Sequence, residues 1–389
     1  MHSFSRSLLG ARSKLMRKRV PEAHSPHARH AEHHALSALD GRSLDSVRMA
    51  KSAYSVRRVD LSDVSGVLTD VRPSAGDVAL ARVRRLGQHQ HLESGNGRRS
   101  RLWPGDEILV AFGARYAPDQ YEAIVPDDLS PCQLVAGGGI AARVVSRHAN
   151  IRPATDIEPI GLLANGQGVI NMRSAALGPA PALRPSLVVA VVGSSMNAGK
   201  TTTAANLVRG LRGRRLRVGA AKVTGTGAGG DAWLLTDAGA SPVLDFTDSG
   251  YASTAGLPLR ALEHILTHLT GHIASSGVDC CVLEVADGLL QRETAALLES
   301  PRFAKAVDAV LFAAPDAMSA VAGVDWLRRR KLPVVAVSGL VTASPLARAE
   351  AAREVGIPVY TVDELATAQV VGELFPVIGR RFPAAGTVA

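Results

Sequence analysis

Val191-Val192-Gly193-Ser194-Ser195-Met196-Asn197-Ala198-Gly199-Lys200-Thr201-Thr202 decides the fold of this 389-residue chain. The apolar run Leu187–Val192 leads into it, and Ala204, Leu207, Val208 and Leu211 recur at helical spacing after it. A buried strand, a loop bounded by glycines and a Gly-Lys-Thr opening an amphipathic helix together make an anion cradle. Main-chain N–H groups and the helix N-terminus face the phosphates, the lysine reaches the β- and γ-phosphates, and the hydroxyl holds Mg²⁺. The candidate nucleotide-binding residues are therefore Gly193, Ser195, Asn197, Ala198, Gly199, Lys200, Thr201 and Thr202. Five residues separate Gly193 from Gly199, where the common loop has four.

Working outward, apolar strands are predicted at 187–192, 217–222, 242–246, 279–285, 307–313, 333–338 and 357–361. Helical stretches separate them, one marked by Leu262, Ile265, Leu266, Leu269 and Ile273. Fully apolar strands joined by helices imply an α/β parallel sheet covered on both faces, here over 187–389. Before it, Gly178-Pro179-Ala180-Pro181-Ala182-Leu183-Arg184-Pro185 reads as a linker at 179–186. Residues 59–178 carry short alternating runs at 76–83, 107–113, 121–125 and 139–145, broken by Gly95-Asn96-Gly97 and Pro104-Gly105-Asp106. That texture predicts a small β-barrel or sandwich. Its polar stretch Arg115-Tyr116-Ala117-Pro118-Asp119-Gln120-Tyr121 is either a functional loop or an ordinary turn.

The net charge of +9 is unevenly placed. Residues 1–60 hold twelve Lys and Arg against five Asp and Glu, and the rest hold 32 against 30. Residues 1–58, with the His-rich run 24–34, read as a basic, disordered arm. The folded body lacks the interleaved basic and aromatic residues of a nucleic-acid platform. No apolar run approaches the ~20 residues of a membrane-spanning helix, and the N-terminus lacks the apolar block of a secretory signal. Three cysteines, two adjacent at 280 and 281, build neither a disulfide framework nor a spaced zinc site. The expectation is a cytoplasmic protein with no membrane span.

The five-residue spacing resembles the phosphate loop of dethiobiotin synthetase. The likeness continues through Lys222 at the end of the second strand, Asp231 in Gly230-Asp231-Ala232-Trp233 and Glu284 in Val282-Leu283-Glu284-Val285-Ala286-Asp287-Gly288. It implies a P-loop NTPase domain that binds ATP and Mg²⁺. Lys200, Lys222 and Glu284 would be catalytic, Thr201, Asp231 and Glu284 would hold the metal, and Thr224, Gly225 and Thr226 would close over a substrate. Departures are clear: Lys222 lacks the family's following proline, Glu-Gly-Ala-Gly-Gly is replaced by Glu-Val-Ala-Asp-Gly, and Val337-Ser338-Gly339-Leu340 replaces the base signature. The β-rich part is foreign to that family.

The leading expectation is an ATP-dependent ligase or small-molecule kinase that phosphorylates an acid or carbamate and works as a homodimer. Asp245, Asp248, Ser249, Tyr251 and Thr254 would shape its acceptor pocket, with Asp287 and Glu293 as weaker candidates on the rim. The alternative is a nucleotide-controlled switch or NTPase whose β-rich part binds a protein or nucleic-acid partner. The two Ser residues at 194 and 195 stand where many such switches carry an extra lysine.

Overall fold

Alternating apolar residues between positions 78 and 165 close on themselves. In the computed structural model, which describes residues 37–38 and 41–376, five strands form a circuit: β1 (Val78–Arg85), β2 (Glu107–Phe112), β3 (Cys132–Ala136), β4 (Ile140–Arg147) and β5 (Thr155–Asn165). β1 pairs antiparallel with β2, and β2 runs parallel to β4. β3 pairs antiparallel with both β4 and β5, and β5 returns antiparallel to β1. Val78, Leu80, Ile108, Val110, Leu134, Ile140, Ile157 and Leu162 belong to its buried cluster. Closure leaves these five strands no open edge among themselves. β3 and β5 were not anticipated. Pro159 and Gly161 break the alternation of β5, and its pairing with β1 shifts register between those two residues.

Residues 176–186 carry no strand or helix and lead into the second sheet. Its strands are β6 (Leu187–Gly193), β7 (Val218–Lys222), β8 (Val243–Asp245), β9 (Cys280–Glu284), β10 (Ala309–Ala313) and β11 (Val334–Ser338). They lie in the order β8-β7-β9-β6-β10-β11, all parallel. Strand alternation divides the core. Val188, Ala190, Val192, Cys281, Leu283 and Phe312 pack with Leu262, Ile265 and Leu269 of α3 (Leu259–Ser275). Leu187, Val189, Val191, Cys280 and Val282 pack with Ala204, Leu207 and Leu211 of α1 (Lys200–Gly213). Cys280 and Cys281 are thus core filler on opposite faces, and burial pushes the Cys280 thiol up to about 12. The run 357–361 makes only one bridge, Val359 to Val337. Pro358 has no N–H for a ladder, and the chain turns at Thr361 into a short helix.

One boundary needs correcting. Residues 41–58, expected within the disordered arm, include a helix at Gly41–Met49 and a strand at Lys51–Ser52 beside β2. Tyr54 and Val56 are buried. Only five of these eighteen residues are basic, and the apolar ones give them a place in the core. Residues 1–36 and the His-rich run lie outside the described residues. No described helix is long and apolar enough to cross a membrane.

The tightest glycine of the second core is Gly323 on α4 (Ala317–Arg329), where an added Cβ would lie 2.0 Å from Cζ of the fully buried Phe312. Gly323→Ala should cost about 1–3 kcal/mol by overpacking, read as a lower urea midpoint at an unchanged denaturant slope.

Candidate functional site

β6 ends at Gly193 against the stem of Lys200, where a Cβ would meet Lys200 Cγ at 2.8 Å. Gly199, at φ 96°, turns the chain into α1, and Asn197 at φ 60° also takes a left-handed conformation. Lys200 Nζ folds back to donate to the Ser195 carbonyl at 2.7 Å. Burial lowers the Lys200 ammonium, partly offset by Glu284 and Asp287. Gly193 and Ala198 are buried and shape the turn. Asn197, Gly199, Lys200, Thr201 and Thr202 line a cavity of about 420 Å³.

The parallel register puts the charged residues at the same end of the sheet as the loop. Val191 is level with Glu284, and Glu284 is level with Lys222. Asp231 comes from the first turn of α2 (Gly230–Asp237). Thr201 Oγ1 lies 3.2 Å from Asp231 Oδ1 and 3.1 Å from Glu284 Oε1, and its single proton serves one of them at a time. Lys222 Nζ donates to Asp231 Oδ2. Burial would lower Lys222, but Asp231 and Glu284 hold it above its ordinary value. Burial would raise Asp231, but Lys222 keeps it below. Burial and the neighbouring Asp231 push the Glu284 carboxyl up to about 7.

Glu284 Oε2 is buried with no hydrogen-bond partner. A hydroxyl, two carboxylates and a bare carboxylate oxygen are hard oxygen donors that fit Mg²⁺, which keeps several waters and relies on substrate phosphates. Among the described residues no group of three or more His, Cys, Asp or Glu side chains is arranged to hold a metal without such help.

Of the residues expected to close over a substrate, Gly225 and Thr226 line the cavity. Thr224 does not: its buried hydroxyl donates to the Ala286 carbonyl at 3.3 Å. The opposite wall comes from the β ring as Arg115, Tyr116 and Ala117, with Asp287 also lining it. Sequence reasoning left Arg115 and Tyr116 undecided. Their polar setting was the only signal, since their place depends on ring closure.

The segment after β8 is fully engaged within the chain. Tyr54 Oη donates to Asp245 Oδ2 at 2.8 Å. Arg57 donates to Thr247 Oγ1 and, at 2.7 Å, to Asp248 Oδ1. Ser249 Oγ is 2.8 Å from His268 Nδ1, and Thr254 Oγ1 accepts from Gly225 N–H at 2.8 Å. The Arg173 guanidinium lies over the Tyr251 ring. None of these five candidate acceptor residues lines the cavity. Glu293 caps Gly256 N–H at 2.7 Å and also lies outside it.

No family model matches the chain, and no curated protein matches it. Among solved structures, it is similar to the signal recognition particle 54 kDa protein from Aeropyrum pernix K1 in complex with GDP. That match has 19% identity and a TM-score of 0.34, covering 51% of this chain and 50% of that one. The chain is also similar to the signal recognition particle receptor FtsY from Elizabethkingia anophelis, at 16% identity and a TM-score of 0.33, over 53% of this chain and 75% of that one. The match thus spans half the length of the first structure, and scores this low carry no functional argument by themselves. The ATP-dependent ligase or small-molecule kinase is nevertheless corrected here. The side chains meant for an acceptor are engaged by the chain itself and stand outside the cavity. What stands of the dethiobiotin-synthetase resemblance is a phosphate loop on a parallel α/β sheet.

Proposed function

We propose that the chain binds a Mg²⁺–nucleoside triphosphate and acts as a nucleotide-controlled switch or NTPase whose β ring engages a protein partner. The observation that carries this reading is the shared wall of the cavity. Thr201, Lys200 and Lys222 face it from the parallel sheet, and Arg115 and Tyr116 face it from the ring. A change at the terminal phosphate is therefore in contact range of both parts. The base is left open between ATP and GTP, because phosphate recognition does not depend on it.

In this reading Thr201, Asp231 and Glu284 hold the metal, directly or through water, and Mg²⁺ neutralises charge on the phosphates. Lys200 leaves the Ser195 carbonyl to reach the phosphates. Lys222 stays paired with Asp231 and keeps that carboxylate ionised and aimed. The link to the ring runs through Gly138, where an added Cβ would fall 2.2 Å from the Gly227 carbonyl oxygen. A second link is Glu93 Oε2, which accepts from Gly229 N–H at 2.8 Å. Both meet the glycine-dense loop 224–230, so movement there is felt by the ring.

Titration calorimetry with Mg²⁺-ATP and Mg²⁺-GTP tests the reading. Lys200→Ala should weaken binding by at least about a hundredfold, roughly 2.7 kcal/mol, with the circular dichroism spectrum unchanged. No heat from either nucleotide with the wild-type chain would refute it. Nucleotide should also slow amide exchange across residues 113–121. Gly138→Ala, by forcing the ring off the 224–230 loop, should remove that protection while nucleotide still binds.

A further inference from the structure

The geometry points to Arg115 as a catalytic residue that the β ring supplies in cis to the terminal phosphate, rather than a structural arginine of the ring. This rests on the nucleotide-binding reading above and adds to it the residue that drives turnover.

Arg115 opens a two-residue strand, Arg115–Tyr116, paired with Tyr121–Ile124, and it lines the cavity together with Lys200, Thr201 and Lys222. Its guanidinium is held from the ring side: one Nη donates to the Val135 carbonyl and the other to Gln120 Oε1 at 2.9 Å. Both acceptors are neutral, so these bonds fix the plane, and the nearby carboxylates of Asp119 and Asp287 favour the charged form. Nε is buried and has no partner. A buried, unpaired N–H on a cation is costly and uncommon, and a phosphate oxygen is among its strongest acceptors. Lys222, by contrast, is already committed to Asp231.

The hairpin is also tied to the phosphate loop. Asn197 Nδ2 donates to Asp119 Oδ2 at 2.8 Å, four residues from Arg115. The loop that cradles the phosphates and the strand that carries the arginine are therefore positioned by one hydrogen bond. Nucleotide contact with Asn197 and Arg115 would be felt together.

The reaction is hydrolysis by water. The water oxygen bonds to the γ-phosphorus as the bond to the β–γ bridging oxygen breaks. The electron pair of that bond leaves on the nucleoside diphosphate, and the water proton passes to inorganic phosphate or solvent. Nothing is oxidised or reduced. Negative charge shifts toward the bridging oxygen and the equatorial oxygens in the transition state, and a fixed guanidinium stabilises it there. Arg is suited to this because it stays protonated even when burial lowers its pKa.

The test combines calorimetry with single-turnover hydrolysis on the full chain, using ATP and GTP in parallel, each with Mg²⁺. Arg115→Ala should still bind nucleotide while its rate constant falls on the order of a thousandfold. Arg115→Lys should recover little, since an ammonium lacks the planar fork. Added guanidinium chloride should restore part of the rate to Arg115→Ala and none to Lys200→Ala, a response that a purely structural role would not give. Wild-type turnover in Arg115→Ala, or in Arg115→Lys if the alanine variant fails to fold, overturns the assignment alone. Tight binding without any turnover by the wild type also overturns it. No nucleotide binding by the wild type refutes the reading on which it rests.

Discussion

A carboxylate inside a parallel sheet governs the phosphate end of this molecule. Glu284 ends the apolar strand β9 and is 2% exposed. A charge there must be paired or neutralised. Strand register offers Lys222 on one side, and the phosphate loop offers Thr201 on the other. One oxygen is left bare, and burial together with the Asp231 charge raises the carboxyl to about 7. In the proposed reading a bound cation would take up that oxygen and offset part of the burial penalty. Ala286, two residues on, presents only a methyl group to the cavity that Glu284 also lines.

What was readable in the sequence follows from how local each pattern is. The loop from Gly193 to Thr202 combines a strand, a turn and a helix start within a dozen residues. Lys222, Asp231 and Glu284 were singled out by the resemblance to dethiobiotin synthetase, each at the end of a strand or in the first turn of a helix, and the sheet order brings them together. The other half of the cavity has no such signature. Arg115 reaches it only because β2, β4 and the Tyr121–Ile124 strand pair in a particular register. Thr155–Asn165, the longest strand, hid behind Pro159 and Gly161. Residues 41–58 hid behind the basic composition of the segment before them. The side chains assigned to an acceptor, Asp245 to Thr254, were correctly seen as polar and clustered. The partners of Asp245 and Asp248, Tyr54 and Arg57, lie 191 positions away, and no spacing rule reaches that far.

Those partners join the segment beside the β ring to the edge of the sheet. β8 is a three-residue edge strand, and an edge presents unpaired backbone and invites association. Here the edge ends in Asp245, with Asp248 just beyond it, both nearly fully buried. Two neighbouring buried carboxylates repel, and burial together with Asp245 raises Asp248 above its ordinary range. Arg57 lies within ion-pair reach of both, at 3.6 Å from Asp245 and 2.7 Å from Asp248, while its guanidinium stacks 4.0 Å from the Tyr54 ring centroid. Burial and Asp245 also push the Tyr54 phenol far above its usual value, so it remains a hydrogen-bond donor at any physiological pH. The segment 54–58 is thus the counterion of an edge that would otherwise be unstable.

This arrangement sets how the ring can move. A buried ion network is a poor source of net stability, because desolvation offsets most of the attraction. It is specific, however: sliding the ring by one residue would leave two carboxylates and a guanidinium unpaired in low dielectric. The ring also meets the sheet nearer the phosphate loop, at Gly138 against Gly227, at Glu93 against Gly229, at Asp119 against Asn197 and through Ala252, which belongs to the ring's buried cluster. The two places are joined directly: Ser55 N–H donates to the Gly138 carbonyl at 2.9 Å, so the segment that pairs the two acids also holds the turn packed against Gly227. In the proposed reading, a ligand that shifts the 224–230 loop would therefore act on the ring at a point that Arg57 and its two acids already align.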